Sequence, residues 1–241
     1  IAPVLRLWRF GAGTDDAIGD AQAPAVAELK RVRRVVGVDK IEVRREPPGL
    51  RKSIPGVEID LSSIAKGYGV DAVAGRLGEL GFEHVMVEIG GEVRAAGERP
   101  SGGPWRIGVE SPEVDRRALA ETVPMHDVAM ATSGDYRNYR QADGRQVAHI
   151  IDPRTGEALP FRGISVTVLA PTCMEADGLA TALVVLGDAR AYDWCDEHDV
   201  AALFQTRCEE GPPLRRATAA YERLLGGAVQ AANRESADIN P

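Results

Sequence analysis

Cysteine is scarce: Cys173, Cys195 and Cys208 are the only three in 241 residues, too few and too unevenly spaced for a disulfide framework or a closed zinc site. They leave the redox compartment open. Positive charge is also short, with 29 Lys and Arg against 36 Asp and Glu, a net charge of −7 and a pI near 5.2. No global field attracts nucleic acid or anionic lipid, and no nucleic-acid partner is expected. No run approaches the ~18 apolar residues of a membrane-spanning helix, so the chain as given reads as soluble. Internal repeats and low-complexity linkers are absent, and nothing marks a domain boundary. The first residue is Ile1, without an initiator Met, a charged n-region or an apolar h-region, so the expectation is that an upstream segment has been removed. What is present is ordinary for a globular protein: 44% hydrophobic and 27% charged residues, in a length that suits one large domain or two small interlocked ones.

The hydrophobic pattern mixes helical and strand periods. Leu5-Arg-Leu-Trp-Arg-Phe10 is an aromatic-basic patch, followed by loop-like Gly11 to Asp16. Val26, Leu29, Val32 and Val36 share one face of a short helix over 24–36, and Ile64 to Leu80 carries a second helical stripe that Gly81 terminates. Alternation predicts strands at Ile41–Arg44, Val57–Asp60, His84–Glu88, Glu92–Ala96, Trp105–Glu110, Val128–Thr132, Val147–Ile151, Ile164–Ala170 and Val200–Gln205, the middle of the chain reading as an antiparallel meander. Further helices are expected at Met174–Leu186, Ala191–Glu197 and Leu214–Ala232, ahead of a polar, mobile tail from Arg234. Strands and helices do not alternate as βα units, which predicts an α+β fold of antiparallel-rich mixed sheets with packed helices.

Three segments carry chemistry, and a fourth, Ala131-Thr-Ser-Gly-Asp135-Tyr-Arg-Asn-Tyr139, pairs a small-residue turn with aromatic and polar groups and reads either as a pocket lining or as a strand-to-loop exit. In Asp60-Leu-Ser-Ser-Ile-Ala-Lys-Gly-Tyr-Gly-Val-Asp71 a strand gives way to a helix, whose N-terminal N–H groups and dipole suit a phosphate, with Lys66 adding a full charge. The plainer alternative is that Asp60 or Ser62 caps the helix and Lys66 is solvated. In Met174-Glu-Ala-Asp177-Gly-Leu-Ala-Thr181, Asp177 and Thr181 stand four apart on one helix face and together suit a hard cation such as Mg²⁺, although such pairs also occur on ordinary helix surfaces. In His149-Ile-Ile-Asp152-Pro-Arg-Thr-Gly156 a histidine ends a strand before a turn, placed either to reach a ligand or to serve as a hydrogen-bonded structural residue.

Taken together, the identity and order of these segments resemble the FAD:protein FMN transferases, the ApbE family. The resemblance rests on Asp60 to Asp71, Glu88-Ile-Gly-Gly-Glu92, Pro104-Trp-Arg-Ile-Gly108, Thr132-Ser-Gly-Asp-Tyr136, His149-Ile-Ile-Asp-Pro153 and Glu175-Ala-Asp-Gly-Leu-Ala-Thr181. It also takes in the Pro3 to Gly11 stretch with Trp8 and Phe10. It implies an ApbE-like fold and an enzyme that splits FAD at its diphosphate. AMP is released and FMN is attached through a phosphoester to a Thr or Ser hydroxyl of a flavin-accepting redox protein. It implies Mg²⁺, with Mn²⁺ an alternative, held by Asp177, Thr181 and the main-chain carbonyl of Ser63. Asp60, Lys66 and His149 match positions that contact FAD; His149 binds the nucleotide or helps deprotonate the acceptor, and Asp177 is a second candidate for that proton. Ser63 stands where the family often has Gly or Ala, a change that a backbone ligand tolerates.

The same resemblance implies a single catalytic domain over 1–241 that lacks the family's N-terminal region, and a periplasmic or membrane-anchored location in the cell envelope. Two other readings share these residues: a non-catalytic FAD-binding accessory protein for maturation, and a metal-dependent FAD diphosphatase that passes FMN to water.

Overall fold

The computed structural model describes residues 1–10, 22–113, 117–136, 138–208 and 210–227. The expected loop at Gly11 to Asp16 and the tail from Arg234 lie outside them. The chain divides into two compact units, one made of 1–61 with 137–161 and the other of 62–136 with 162–241.

In the first unit, helices α1 (Ala2–Leu7) and α2 (Val26–Arg33) accompany a hairpin of β1 (Ile41–Arg44) and β2 (Gly49–Lys52). A three-stranded sheet runs β10-β9-β8 and is drawn from β8 (Tyr139–Ala142), β9 (Arg145–Ile151) and β10 (Ala158–Pro160). Its core gathers Val4, Trp8, Phe10, Leu29, Ala142 and Ile151, so the aromatic-basic patch of the sequence is the end of a helix and its exit, with Trp8 and Phe10 buried and Arg6 and Arg9 exposed. Trp8 donates its indole N–H to the Gly156 carbonyl at 2.9 Å, which satisfies the one polar atom of a buried ring. Val57–Asp60, expected as a strand, is not one. Among the described residues it joins no strand ladder, and Glu46-Pro-Pro-Gly49 instead turns the chain so that Gly49–Lys52 pairs with Ile41–Arg44.

In the second unit, α3 (Ala65–Glu79) leads to β3 (Val85–Ile89) and β4 (Glu92–Ala96), then to β5 (Trp105–Glu110), β6 (Leu119–Met125) and β7 (Val128–Gly134). Residues 164–217 add β11 (Ile164–Ala170), α4 (Cys173–Leu186), α5 (Asp188–Glu197), β12 (Ala201–Thr206) and β13 (Leu214–Ala217). Six strands form one antiparallel sheet in the order β13-β12-β11-β7-β4-β3.

The meander reading is corrected by this order. β4 pairs with β7, while β5 and β6 form a ladder of their own. Side-chain alternation explains why. On one sheet face Val93, Ala95, Met130, Leu169, Ala201 and Leu203 meet Val109, Val123 and Met125 of the β5–β6 ladder. On the other, Val87 and Ala129 meet Val70 and Ala74 of α3 and Cys173 of α4. A period of two sends neighbouring residues such as Ala129 and Met130 to opposite cores, and β11, covered on both sides, is buried at every position.

The predicted C-terminal helix begins later than expected. Leu214–Ala217 is an edge strand on β12, and among the described residues 219–227 are helical, the expected 228–232 lying outside them. Thr218 explains the switch: its hydroxyl accepts the Tyr221 N–H at 3.3 Å as an N-cap, accepts the Ala202 N–H at 3.0 Å and donates to the Val200 carbonyl at 2.8 Å. Among the described residues no helix is long and apolar enough to cross a membrane.

Candidate active site

In the second unit Lys66 of α3 and Asp177 of α4 are close enough to interact electrostatically, Thr181 stands one turn further along α4, and Ser63 lies two residues before α3. The close approach of the two helices depends on Gly67. A Cβ there would lie 2.3 Å from the Cys173 carbonyl oxygen and 2.7 Å from the Met174 Cα, so any other residue collides with the backbone that opens α4. Gly178 has a similar part, since its Cβ would meet Ile64 Cγ2 at 3.1 Å.

Contact at that distance lets each helix terminus be completed by the other. Gly67, in the first turn of α3, donates its N–H to Asp177 Oδ2 at 3.0 Å. At the start of α4, the Cys173 and Met174 N–H groups donate to the two carboxylate oxygens of Asp71, each at 2.9 Å, and the Glu175 N–H donates to Thr172 Oγ1 at 3.3 Å. These are donors that a helix cannot satisfy within itself. Arg94 also donates to Asp71 at 2.8 Å. The expectation that Asp60 or Ser62 caps α3 is overturned: the N-cap position is Ile64, without a side-chain cap, and Asp177 from the other helix supplies an acceptor instead.

Asp177 is buried, and desolvation pushes its carboxyl above the usual range, opposed by the Gly67 N–H and the Lys66 charge. One turn along α4, Thr181 shares a 2.9 Å hydrogen bond with Ser133 of β7. Lys66 is not merely solvated. Its Nζ stands 2.6 Å from Glu92 Oε1, with the lysine side chain 47% exposed and the glutamate 2%. Burial raises the Glu92 carboxyl, Lys66 lowers it and the Asp177 charge raises it further. Among the described residues Glu92 Oε2 has no hydrogen-bond partner in another residue.

Asp60 and His149 belong to the first unit. Asp60 is half-buried in the irregular segment after β2. His149 lies in β9, where its Nδ1 is 3.0 Å from the Asn138 carbonyl oxygen. A carbonyl only accepts, so Nδ1 is the donor in this contact.

The oxygen-rich set of one carboxylate, one hydroxyl and one main-chain carbonyl has the hardness that Mg²⁺ requires. Two buried carboxyls, Asp177 and Glu92, share this junction with one lysine charge, Lys66, a local surplus of negative charge that fits a divalent cation. Among the described residues no cluster of three His, Cys, Asp or Glu could hold a metal, so such a site depends on the Thr181 hydroxyl and the Ser63 carbonyl.

The match to the ApbE family model runs over residues 1–204. The chain belongs to the ApbE family. An FAD:protein FMN transferase of Vibrio cholerae is 44% identical over 211 residues, covering 88% of this chain and 61% of that protein. One of Haemophilus influenzae is 40% identical over 227 residues, covering 93% and 64%. The crystal structure of the Pseudomonas stutzeri flavinyl transferase ApbE in its apo form superimposes with a TM-score of 0.79 at 35% identity, over 93% of this chain and 67% of that one. The α+β expectation therefore holds with the ApbE fold, while the chain spans less than two thirds of the length of these two curated relatives.

Three contributors to this ApbE site went unassigned in the sequence. Glu92 follows a Gly-Gly turn and looks like a surface residue opening a strand; Asp71 sits mid-helix; Ser133 lies in a small-residue run. Each acts on a partner at least 23 residues away, beyond the reach of local periodicity.

Proposed function

We propose that this chain is the larger share of a flavin transferase, and that 1–241 works as one catalytic region. It cleaves FAD at the diphosphate, joins FMN by a phosphoester to a Thr or Ser hydroxyl of a partner redox protein and releases AMP. The bond formed is acceptor oxygen to the FMN phosphorus. The bond broken joins that phosphorus to the bridging oxygen, which leaves with AMP. The observation that carries this reading is the Asp177 carboxylate, bonded to the α3 N-terminus at Gly67 with Lys66 alongside and Thr181 one turn on.

Phosphoryl transfer is governed by positioning and charge neutralisation. Asp177, Thr181 and the Ser63 carbonyl would hold Mg²⁺ or Mn²⁺, which when bound neutralises diphosphate charge and polarises the phosphorus under attack. Lys66 adds a positive charge at a helix N-terminus that already favours anions. Asp60 and His149 bind the nucleotide. His149, whose Nδ1 is engaged by the Asn138 carbonyl, is one candidate base for the acceptor's proton through Nε2, and Asp177 is the second. The acceptor belongs to the cell envelope, and the protein is proposed to work there, in the periplasm or at the membrane.

The test is mass spectrometry after incubation with FAD, Mg²⁺ and an acceptor domain. An FMN adduct on Thr or Ser with stoichiometric AMP is expected. Free FMN and AMP would identify a diphosphatase, and unchanged FAD a binding accessory. Asp177→Ala should abolish transfer while the circular dichroism stays that of the wild type; normal turnover in that variant removes the metal assignment.

A further inference from the structure

Glu92 is an expensive residue to keep where it is. Its carboxyl is buried, one oxygen has no partner in another residue among the described residues, and its pairing cation is half in water. A buried ion pair is often no more stable than well-packed apolar residues of the same volume, so packing alone gives no reason for a carboxylate here. The surroundings do. Gly90 and Gly91 form the two-residue turn between β3 and β4 with φ of +63° and +99°, the left-handed region that favours glycine. At Gly90 a Cβ would stand 3.2 Å from Lys66 Cδ and 3.7 Å from Glu92 Oε2. The bare turn therefore gives the lysine stem room to cross it and reach Glu92 Oε1 at 2.6 Å. Gly91 N–H donates to Glu88 Oε1 at 2.7 Å, which pins the turn.

We infer that Glu92 is a positioning residue: its buried carboxylate anchors the Lys66 ammonium beside the α3 N-terminus, where it meets the diphosphate of the flavin nucleotide. This rests on the proposed flavin-transfer reading, in which Lys66 contacts FAD. A free lysine on a four-carbon stem samples many rotamers, and fixing it before the substrate arrives removes that ordering cost from binding and from the transition state. Glu92 suits the task because it is itself immobile, set in the first position of a central-sheet strand. Its Oε2 adds negative charge close to Asp177, which favours a cation at the same junction.

The two members of the pair differ in what their loss does. Without Glu92, Lys66 is half-exposed and can turn to water. Without Lys66, Glu92 is left charged and buried. Glu92→Met should thus keep the thermal midpoint at or above the wild-type value, while Lys66→Met lowers it and the double variant restores it.

Function should follow the opposite pattern. FAD affinity, read by flavin fluorescence at saturating Mg²⁺, should fall roughly tenfold in Glu92→Met, a typical effect of removing a partner that orients a contacting group. Glu92→Gln, which keeps an acceptor oxygen, should recover part of that loss. The double variant should bind no worse than Lys66→Met alone, because Glu92 acts through Lys66. Wild-type affinity in Glu92→Met, or additive losses in the double variant, overturns the inference and leaves the flavin-transfer reading standing. A wild-type protein that binds no FAD sinks that reading first and this inference with it.

Discussion

Gly67 gives the most discriminating test of how the site is built, because the same substitution has opposite expected signs at two places on one helix. Gly67 and Gly75 both lie within α3, Ala65–Glu79. Alanine in a helix interior is favoured over glycine by ~0.5–1 kcal/mol through backbone entropy. At Gly75 an added Cβ meets nothing within 4 Å, so Gly75→Ala should raise stability by about that amount. At Gly67 the same methyl would stand 2.3 Å from the Cys173 oxygen, 2.6 Å from its carbon and 2.7 Å from the Met174 Cα, against the ~3.5–4.0 Å of normal carbon contacts.

The obstruction at Gly67 is backbone, so no side chain can rotate aside and the helices must separate by about an ångström. Overpacking of this kind costs ~1–3 kcal/mol. The helix-propensity gain at Gly67, in the first turn, is no larger than at Gly75 in the interior, so it does not offset the clash. Urea unfolding followed by circular dichroism should therefore separate Gly67→Ala from Gly75→Ala by ~1–3 kcal/mol, with Gly67→Ala the less stable. Separation of the helices also lengthens the 3.0 Å bond from Gly67 N–H to Asp177, so that amide should exchange faster with solvent in Gly67→Ala. Equal stabilisation by the two variants would refute the claim that helix contact at Gly67 sets the geometry of Asp177.

Other expectations follow from the surrounding contacts. Asp71→Ala removes the acceptor of two α4 N–H groups and of Arg94 and should cost ~2–3 kcal/mol in denaturant unfolding, with Asp71→Asn costing less. Tyr221 is fully buried, and desolvation, reinforced by its 2.5 Å bond to Glu121, pushes its phenol upward from 10.0. Its folded pKa lies above the unfolded one, so its contribution is complete below pH ~10 and is lost as pH rises beyond it, at a slope approaching ~1.4 kcal/mol per unit. Tyr221→Phe should be less stable than wild type at pH 8 and should lack this alkaline loss; parallel pH profiles would exclude the mechanism. Cys208 is exposed, whereas Cys173 and Cys195 are buried, and desolvation raises their thiols to about 12 and about 11. A thiol reagent should titrate one cysteine in the native protein and three in denaturant, and fast labelling of all three natively would contradict the packing described.

Much of the local structure could be read without coordinates. Helix α4 and strands β3, β4, β5, β7, β9, β11 and β12 lie within a few residues of where periodicity places them, because each has a repeating apolar pattern and a glycine or polar break at its ends. The errors fall where one pattern serves two structures. Val57–Asp60 alternates but joins no strand ladder among the described residues, and Leu214–Ala217 suits a helix as well as the edge of β12. The separation of β5–β6 from the main sheet was invisible, since pairing depends on which neighbour a strand meets and not on its own pattern.

By itself, the sequence determined the element types, the mixed α+β class and the order of segments that places the chain in the ApbE family, because these reside in local spacing. The tertiary structure decided how α3 and α4 meet at Gly67 and that Asp177 completes a helix it does not belong to. It also turned Lys66 from a surface lysine into the partner of a buried glutamate. Those relations join residues 26 and 110 positions apart. Their physical basis is a missing Cβ, an unsatisfied N–H and a buried charge, and each takes its meaning only from what packing sets against it.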